Sequence, residues 1–461
     1  MYFYSKPLQQ AMSQATSSTY GLQDERESVS AHGRKMLVQG LTTGTGGNIS
    51  VRSGSQVAIS PSGMAYDAIG PDDVPLVDLY GKPVAGKRTP SSERRMHTTI
   101  IRERADANAV VHTHSPYATT FASLDRPIPP SHYLIAFAGL QVPVAGYATY
   151  GTEDLAGLAL DTLGDTYDAC LLKQHGVIAV GATLEAAFER ALMVEYCGRI
   201  HYQTTNIGEP VLLPDGEVER LRGVFEGYGQ SAQTDTGAVA PAAAPDTLRT
   251  ERQSIADLGV EMLKQDLTKG TGGNVSARSG DWVTINPSGV PYDEVTAETV
   301  PIVNIRGEQI AGELKASTET PMHTEIYRQR DDVGGVVHTH SPYATTFASL
   351  NEPIPASHYL IAFAGDQVPV APYEKPASKA LGRAAAGALG DEYNACLLAN
   401  HGTIAVGPTP EAALEVALMT EYCARIEYQA RGIGTSAILP NEEIVHLTER
   451  FRNYGQSGGV N

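Results

Sequence analysis

No stretch of this chain holds the roughly 18 consecutive apolar residues that a membrane-crossing helix needs, so no helical span is expected. Met1 to Tyr20 also lacks the cationic start and apolar centre of a secretory signal, which places the expected protein in the cytoplasm. Lysine is scarce, with 10 Lys against 24 Arg, and the formal net charge is −18. A nucleic-acid backbone needs clustered cations, so that class of partner is excluded. Cysteine is scarcer still: Cys170, Cys197, Cys396 and Cys423, with no Cys-x-x-Cys among them. Each lies in or beside an apolar run or a helical pattern and reads as a small buried hydrophobe with a free thiol.

What the chain does contain is a duplication. Every residue from Val110 to Leu124 recurs from Val336 to Leu350, 226 positions later. The offset holds from Gly46/Gly272 to Tyr228/Tyr454, so the loops of the two copies have equal length. A chain of 461 residues exceeds one ordinary core, and the repeat sets the number of lobes at two. We expect a mobile extension over 1–22, a first domain over 23–228 and a second over 247–457. The linker is placed at 229–246, a tract of Ala, Pro, Gly, Ser and Thr that cannot bury enough apolar surface to fold alone.

Within each copy, periodicity predicts a helix from about Asp24, a glycine-rich loop, and strands over Gln56–Ile59 and Val74–Asp78. A helix over Ser92–Arg104, a strand to His114 and a helix over Tyr117–Leu124 follow. The chain then reads as an extended piece over Gln141–Val144, a helix around Leu155–Leu163, strands over Ala169–Leu172 and Val177–Val180, and a long helix from Leu184 to about Tyr202. The alternation predicts α/β lobes, each a central sheet covered by helices.

Ten of the thirteen histidines fall into five repeated pairs: 97/323, 112/338, 114/340, 132/358 and 175/401. His112 and His114 flank one threonine on a β-branched run, so strand alternation puts both rings on one face. A lone His-x-His often only decorates a strand end. His175, however, sits at His-Gly between two apolar runs, where the glycine permits close approach to another strand end. Three neutral imidazoles are the usual donor set of a catalytic zinc with one open position, and His338, His340 and His401 repeat the set. Ser91 and Ser92 at a helix start offer hydroxyls and free N–H groups to an anion. Glu93 beside them is either a capping carboxylate or an acid/base group. The loop Thr43-Gly44-Thr45-Gly46-Gly47-Asn48 is neither a Walker sequence nor a dinucleotide fingerprint, yet its glycines suit backbone approach to an oxyanion, as does Ser60-Pro61-Ser62-Gly63.

Together these segments resemble the class II aldolase/adducin family. The matching stretches are Gly-Thr-Gly-Gly-Asn-Ile-Ser (44 to 50), Ile-Ser-Pro-Ser-Gly (59 to 63), Pro-Ser-Ser-Glu (90 to 93), Ala-Val-Val-His-Thr-His (109 to 114), Ile-Pro-Pro-Ser-His-Tyr (128 to 133), Tyr-Ala-Thr-Tyr-Gly-Thr (147 to 152) and Gln-His-Gly (174 to 176). The resemblance implies two tandem lobes, each with a mainly antiparallel sheet. It implies one Zn2+ per domain, held by His112, His114 and His175 and by His338, His340 and His401, with Glu93 and Glu319 on the metal or acting as base. Phosphate contacts would come from Gly47, Asn48, Ser62, Gly63, Ser91 and Ser92, and from Gly273, Asn274, Ser288, Gly289, Ser317 and Thr318. Aldolases of the family are cyclic tetramers in which an aromatic matching Tyr133 or Tyr359 reaches a neighbour's site to protonate the aldehyde. Two lobes per chain would then make a four-lobed ring from a homodimer.

The implied activity is zinc-dependent cleavage or formation of a ketose 1-phosphate of the L-fuculose type, giving dihydroxyacetone phosphate and an aldehyde. Zinc would act as Lewis acid and Glu93 as general base at C3. The rivals are a sugar-phosphate dehydratase or decarboxylase of the same family, or a non-catalytic adducin-like interaction module. Both copies keep all three histidines, which counts against the last.

Overall fold

The chain is described by a computed structural model over residues 22–225 and 248–452. The expected extension, apart from Leu22, and the expected linker lie outside the described residues, as do residues 226–228, 247 and 453–457 of the two expected domains. By compactness the chain divides into two units, Met1–Asp125 with Pro143–Ala191, and Arg126–Val142 with Leu192–Asn461.

In the first unit, α1 (Gln23–Val38) precedes β1 (Asn48–Ser53), β2 (Gln56–Ile59), β3 (Leu76–Asp78) and β4 (Pro83–Ala85). Then come α2 (Arg94–Glu103), β5 (Ala109–Thr113), α3 (Pro116–Leu124), β6 (Val144–Ala145), α4 (Glu153–Leu163), β7 (Ala169–Leu172), β8 (Gly176–Gly181) and the start of α5 (Leu184–Ile207). The eight strands form one sheet in the order β4-β3-β2-β1-β5-β8-β7-β6. Every pair is antiparallel except β6 with β7. One face is sealed by α2 and α4: Met96, Ile100, Leu155, Ala159 and Leu163 pack on Val57, Ile59, Val110, Ile178 and Val180. Apolar residues at helical spacing meet apolar residues at strand spacing, and removal of that surface from water holds the layers together.

The second unit holds the short 3-10 helix Tyr133–Phe137, the rest of α5, α6 (Asp215–Phe225) and the whole second copy. The copy runs α7 (Arg249–Lys264), β9 (Asn274–Ser279), β10 (Trp282–Ile285), β11 (Ile302–Asn304), β12 (Gln309–Ala311), α8 (Thr320–Gln329), β13 (Gly335–Thr339) and α9 (Pro342–Leu350). It ends with β14 (Val370–Ala371), α10 (Lys379–Leu389), β15 (Ala395–Leu398), β16 (Gly402–Gly407), α11 (Pro410–Arg431) and α12 (Asn441–Arg452). Its sheet has the same order, β12-β11-β10-β9-β13-β16-β15-β14. The α/β class and the two tandem, mainly antiparallel lobes are therefore as expected. Among the described residues, no helix is long and apolar enough to cross a membrane.

The differences from expectation are local and have physical causes. Periodicity does not predict β1, because four of the six residues of Asn-Ile-Ser-Val-Arg-Ser are polar, yet Ser50 is fully buried and shares a hydrogen bond with buried His97. The helix expected from Ser92 starts at Arg94, because Glu93 is the residue that precedes its first turn. The strand expected over Val74–Asp78 begins only at Leu76, since a 3-10 turn occupies Pro71–Asp73. The long helix continues to Ile207, past the expected Tyr202. All four cysteines are buried free thiols, and burial raises the pKa of each.

Candidate active site

In the first unit, β5 delivers His112 and the residue after its end is His114. The turn between β7 and β8 delivers His175. Gly176 makes that approach possible: a Cβ there would lie 2.3 Å from the Thr113 carbonyl oxygen and 2.9 Å from the His114 ring. Gly47 does the same beside β1, where a Cβ would meet the His112 carbonyl at 2.5 Å and where φ is +71°. The ligand atoms of His112, His114 and His175 all lie within 4.8 Å of one another, and so do those of His338, His340 and His401.

The His112 Nδ1 lies 2.8 Å from the Val177 carbonyl oxygen, which can only accept, so Nδ1 carries the proton and Nε2 presents a lone pair. His338 makes the same bond to Thr403 at 3.0 Å. The Nε2 atoms of His112 and His114 stand 3.1 Å apart, and those of His338 and His340 3.0 Å. Facing nitrogens at that distance call for a shared proton or a cation. Burial, aided by the neighbouring imidazoles, lowers His114 and His175 to about 4, so these rings are neutral at pH 7. His338 is likewise lowered by burial to about 4, and His340 falls well below its ordinary value.

Glu93 completes the first cluster. Its Oε2 is 3.3 Å from His112 Nε2 and its Oε1 is 3.4 Å from His175 Nε2. Glu319 stands 3.2 and 3.3 Å from His338 and His401 in the same way. Burial works to raise the Glu93 carboxyl, and positive charge at His112 and His175, with the Asn48 amide, holds it well below the usual range; with those rings neutral, a bound cation is what would supply that charge. Oε1 of both glutamates is buried without a hydrogen-bond partner among the described residues, as is His401 Nε2. An unsatisfied carboxylate oxygen beside three imidazole lone pairs is a donor set that fits a divalent cation such as zinc.

The loops expected to hold phosphate converge beside each cluster. Ser62 N–H donates to the Thr89 carbonyl at 2.9 Å and Ser91 N–H to the Ser60 carbonyl at 3.1 Å. The Ser60 hydroxyl accepts from Ile49 N–H at 3.1 Å, which ties in the strand that follows Gly47. In the second copy Ser288 N–H bonds Lys315, Ser317 N–H bonds Asn286, and Asn286 Oδ1 accepts from Val275 N–H. Ser62, Gly63, Ser92 and Thr318 are exposed, whereas Ser91, Ser288 and Ser317 are buried, and Gly47 and Gly273 lie against the His112 and His338 carbonyls. The side chains of Asn48 and Asn274 do something else: Asn48 Nδ2 donates to Glu93 Oε2 at 2.8 Å and Asn274 Nδ2 to Glu319 Oε2 at 2.7 Å. Behind them stand His97 and His323, which sequence reasoning left without a role although their repetition marked them.

Tyr133 and Tyr359, alike in sequence, are placed differently. Within the second unit, Tyr133 is 5% exposed, its hydroxyl lies 3.4 Å from His340 Nε2, and its ring centre is 4.3 Å from that of His401. Its segment is fixed by His132 Nε2, 2.6 Å from the His401 carbonyl, by Tyr133 N–H to the Asn400 carbonyl, and by Asn400 Nδ2 to the Ser131 carbonyl. Phe225 of α6 stacks on Phe137 behind it. Tyr359 is 47% exposed and packs beside His358 and Phe451.

The two copies also differ at Tyr147 and Tyr373. Tyr147 is exposed, whereas the Tyr373 hydroxyl donates to Glu217 Oε1 at 2.6 Å, and Glu217 is paired with Arg220. Tyr150 is exposed in the first copy and Pro376 takes its place in the second.

The chain resembles known proteins in each of its two copies. The chain is 51% identical over 211 residues to 5-deoxy-D-ribulose 1-phosphate aldolase of Bacillus thuringiensis serovar kurstaki, covering 45% of this chain and 99% of that one. It is 43% identical to 5-methylthioribulose-1-phosphate/5-deoxyribulose-1-phosphate aldolase of Rhodospirillum rubrum, over 43% of this chain and 90% of the relative. It is 41% identical to L-fuculose phosphate aldolase of Escherichia coli, over 42% of this chain and 91% of the relative. The family described as Class II Aldolase and Adducin N-terminal domain matches residues 27–202 and again 253–428. With each copy carrying its own three histidines and glutamate, the chain belongs to the class II aldolase/adducin family twice over and is a lyase of the aldolase kind.

Proposed function

We propose that the protein is a zinc-dependent aldolase that cleaves, or in reverse forms, a ketose 1-phosphate, yielding dihydroxyacetone phosphate and an aldehyde in the cytoplasm. The observation that carries this reading is the convergence of His112, His114, His175 and Glu93, repeated in His338, His340, His401 and Glu319. Zinc held by each triad would supply a Lewis acid for the oxygens of the three-carbon fragment. Glu93 and Glu319, kept ionised and each with one bare oxygen, take the C3 proton in the condensation direction and return it in cleavage. Tyr133 donates the proton to the aldehyde oxygen at the second site. Backbone N–H groups at Gly47, Asn48, Gly63, Gly273, Asn274 and Gly289 and hydroxyls at Ser62, Ser91, Ser92, Ser288, Ser317 and Thr318 receive the phosphate, the N–H groups of Ser62, Ser91, Ser288 and Ser317 being already donated to backbone carbonyls. The Asn48 and Asn274 contributions come from the backbone, because both amide side chains are already engaged.

The domains of this reading are 23–228 and 247–457, joined through 229–246, and the working assembly is a homodimer forming a four-lobed ring. The asymmetry between copies supports that assembly. Tyr133, His132 and Tyr196 are buried in the second unit, whereas their equivalents Tyr359 and Tyr422 are 47% and 43% exposed. His340 is buried and its equivalent His114 is exposed. The uncovered aromatic face of the second copy and the uncovered triad of the first are the two halves of a contact that a second chain completes.

Of the substrates borne by relatives, 5-deoxy-D-ribulose 1-phosphate has the strongest claim, ahead of the L-fuculose type, because identity to that relative is highest of the three. The test is release of dihydroxyacetone phosphate from a panel of ketose 1-phosphates, before and after chelation and zinc restoration. No release from any member, or release indifferent to chelation, would overturn the reading. Dehydration or decarboxylation products would point to the family's other reactions.

A further inference from the structure

Behind each glutamate lies a buried chain of hydrogen bonds that involves none of the three histidines of its cluster. In the first copy Ser50 Oγ lies 2.7 Å from His97 Nδ1, His97 Nε2 lies 2.5 Å from Asn48 Oδ1, and Asn48 Nδ2 lies 2.8 Å from Glu93 Oε2. Ser50 and His97 are fully buried and Asn48 is 5% exposed. The second copy repeats it: Ser276 Oγ is 2.6 Å from His323 Nδ1, His323 Nε2 bonds Asn274 Oδ1, and Asn274 Nδ2 is 2.7 Å from Glu319 Oε2. Tyr327 adds its hydroxyl to Ser276 at 2.8 Å, where the first copy has Ile101.

The polarity of the chain follows from its ends. A carboxylate can only accept, so Asn48 must present its NH2 group to Glu93 and its carbonyl to His97. An amide carbonyl can only accept, so His97 carries its proton on Nε2, and its bare Nδ1 accepts from the Ser50 hydroxyl. Burial, reinforced by His112, lowers His97 to about 3, which keeps the ring neutral and this single tautomer in place. We propose that His97 and His323 are positioning residues which, through Asn48 and Asn274, set which oxygen of Glu93 and Glu319 is hydrogen-bonded and which is left bare for proton transfer. Without the imidazole, the Asn48 amide is free to rotate its carbonyl toward Glu93, and the bond to Oε2 becomes a repulsion. The inference rests on the reading of Glu93 and Glu319 as the bases.

The experiment uses the full chain with Glu319→Ala, so that only the first site turns over. In that background His97→Ala, His97→Gln and Glu93→Ala are compared by exchange of the C3 proton of dihydroxyacetone phosphate with solvent deuterium, by affinity for the same compound, and by bound zinc. His97→Gln keeps an N–H to offer Asn48 and serves if His97→Ala does not fold. Loss of one charge-assisted bond predicts about a 10- to 100-fold fall in exchange kcat for His97→Ala. KM and zinc are expected to stay at the parent's level, with recovery toward the parent in His97→Gln. Exchange at the parent's rate in both His97 variants, with exchange abolished in Glu93→Ala, would overturn the positioning role alone. Exchange undiminished in Glu93→Ala would overturn the base assignment and the inference together. Parallel loss of exchange, affinity and zinc in His97→Gln would show a role in the fold instead and would also overturn it.

Discussion

The Tyr133 hydroxyl lies 3.4 Å from His340 Nε2, although the two residues are 207 positions apart. The tyrosine of one copy thus stands beside the triad of the other within the second unit, and on the function proposed above its substitution should report on the second site only. In a Glu93→Ala background, which leaves the second site to turn over, we expect Tyr133→Phe to slow cleavage, where the tyrosine takes back the hydroxyl proton it gives the aldehyde oxygen in condensation, about 100-fold, the usual scale for a general acid/base group. The corresponding Tyr359→Phe change should leave that background unaffected; equal losses from the two variants would show that the tyrosines are not segregated in this way.

Each triad should hold its own metal. His112→Ala or His338→Ala should halve the zinc bound per chain, because the donor sets share no residue. Metal analysis of the purified variants checks this, and a single substitution that emptied the protein would refute separate sites.

A ring of four lobes from two chains predicts a particle of twice 49.0 kDa by light scattering. Charge at the exposed aromatic face should weaken it: Tyr359→Asp is expected to shift the protein toward monomer and to depress the first site more than the second. A fully active monomer at assay concentrations would be incompatible with the assembly.

The two sites should differ in aldehyde preference. Tyr150 offers a large apolar surface where the second copy has Pro376, and Tyr373 is tied to Glu217 where Tyr147 is exposed. Glu93→Ala and Glu319→Ala, each leaving one site, should therefore rank a series of aldehydes differently, with the second site handling apolar ones more weakly. Matching rates and preferences across the series would remove the distinction.

Glu421 gives the stability a pH dependence. It accepts from Tyr343 N–H at 2.9 Å and Ala344 N–H at 2.8 Å at the start of α9. Burial nonetheless pushes its pKa from 4.5 up to about 7, the two N–H groups opposing the rise only in part. A carboxyl raised on folding binds its proton more tightly in the native state, so its contribution is complete below 4.5 and is lost as pH rises through about 7. Glu421→Gln should flatten the fall in Tm across that window relative to the parent, whatever its absolute stability. Parallel curves for the two proteins would mean that Glu421 does not titrate there.

The sequence alone determined the parts. Its duplication predicted two lobes of one class, and the β-branched run before His112 and the His175-Gly176 break identified both histidine triads, because alternation and chain reversal are local properties. The same locality explains the misses. β1 was illegible because Ser50 reads as polar, and only His97, 47 positions on, makes its burial affordable. Asn48 reads as a phosphate ligand by its loop, but its side chain is spent between Glu93 and His97. Above all, Tyr133 and Tyr359 sit in near-identical stretches, and nothing local tells them apart. Their difference arises from the path of the chain, which packs 126–142 with the second copy and buries His132 against the His401 carbonyl. Tertiary structure decided which groups meet, since hydrogen bonds between residues hundreds of positions apart depend on packing that no local pattern encodes.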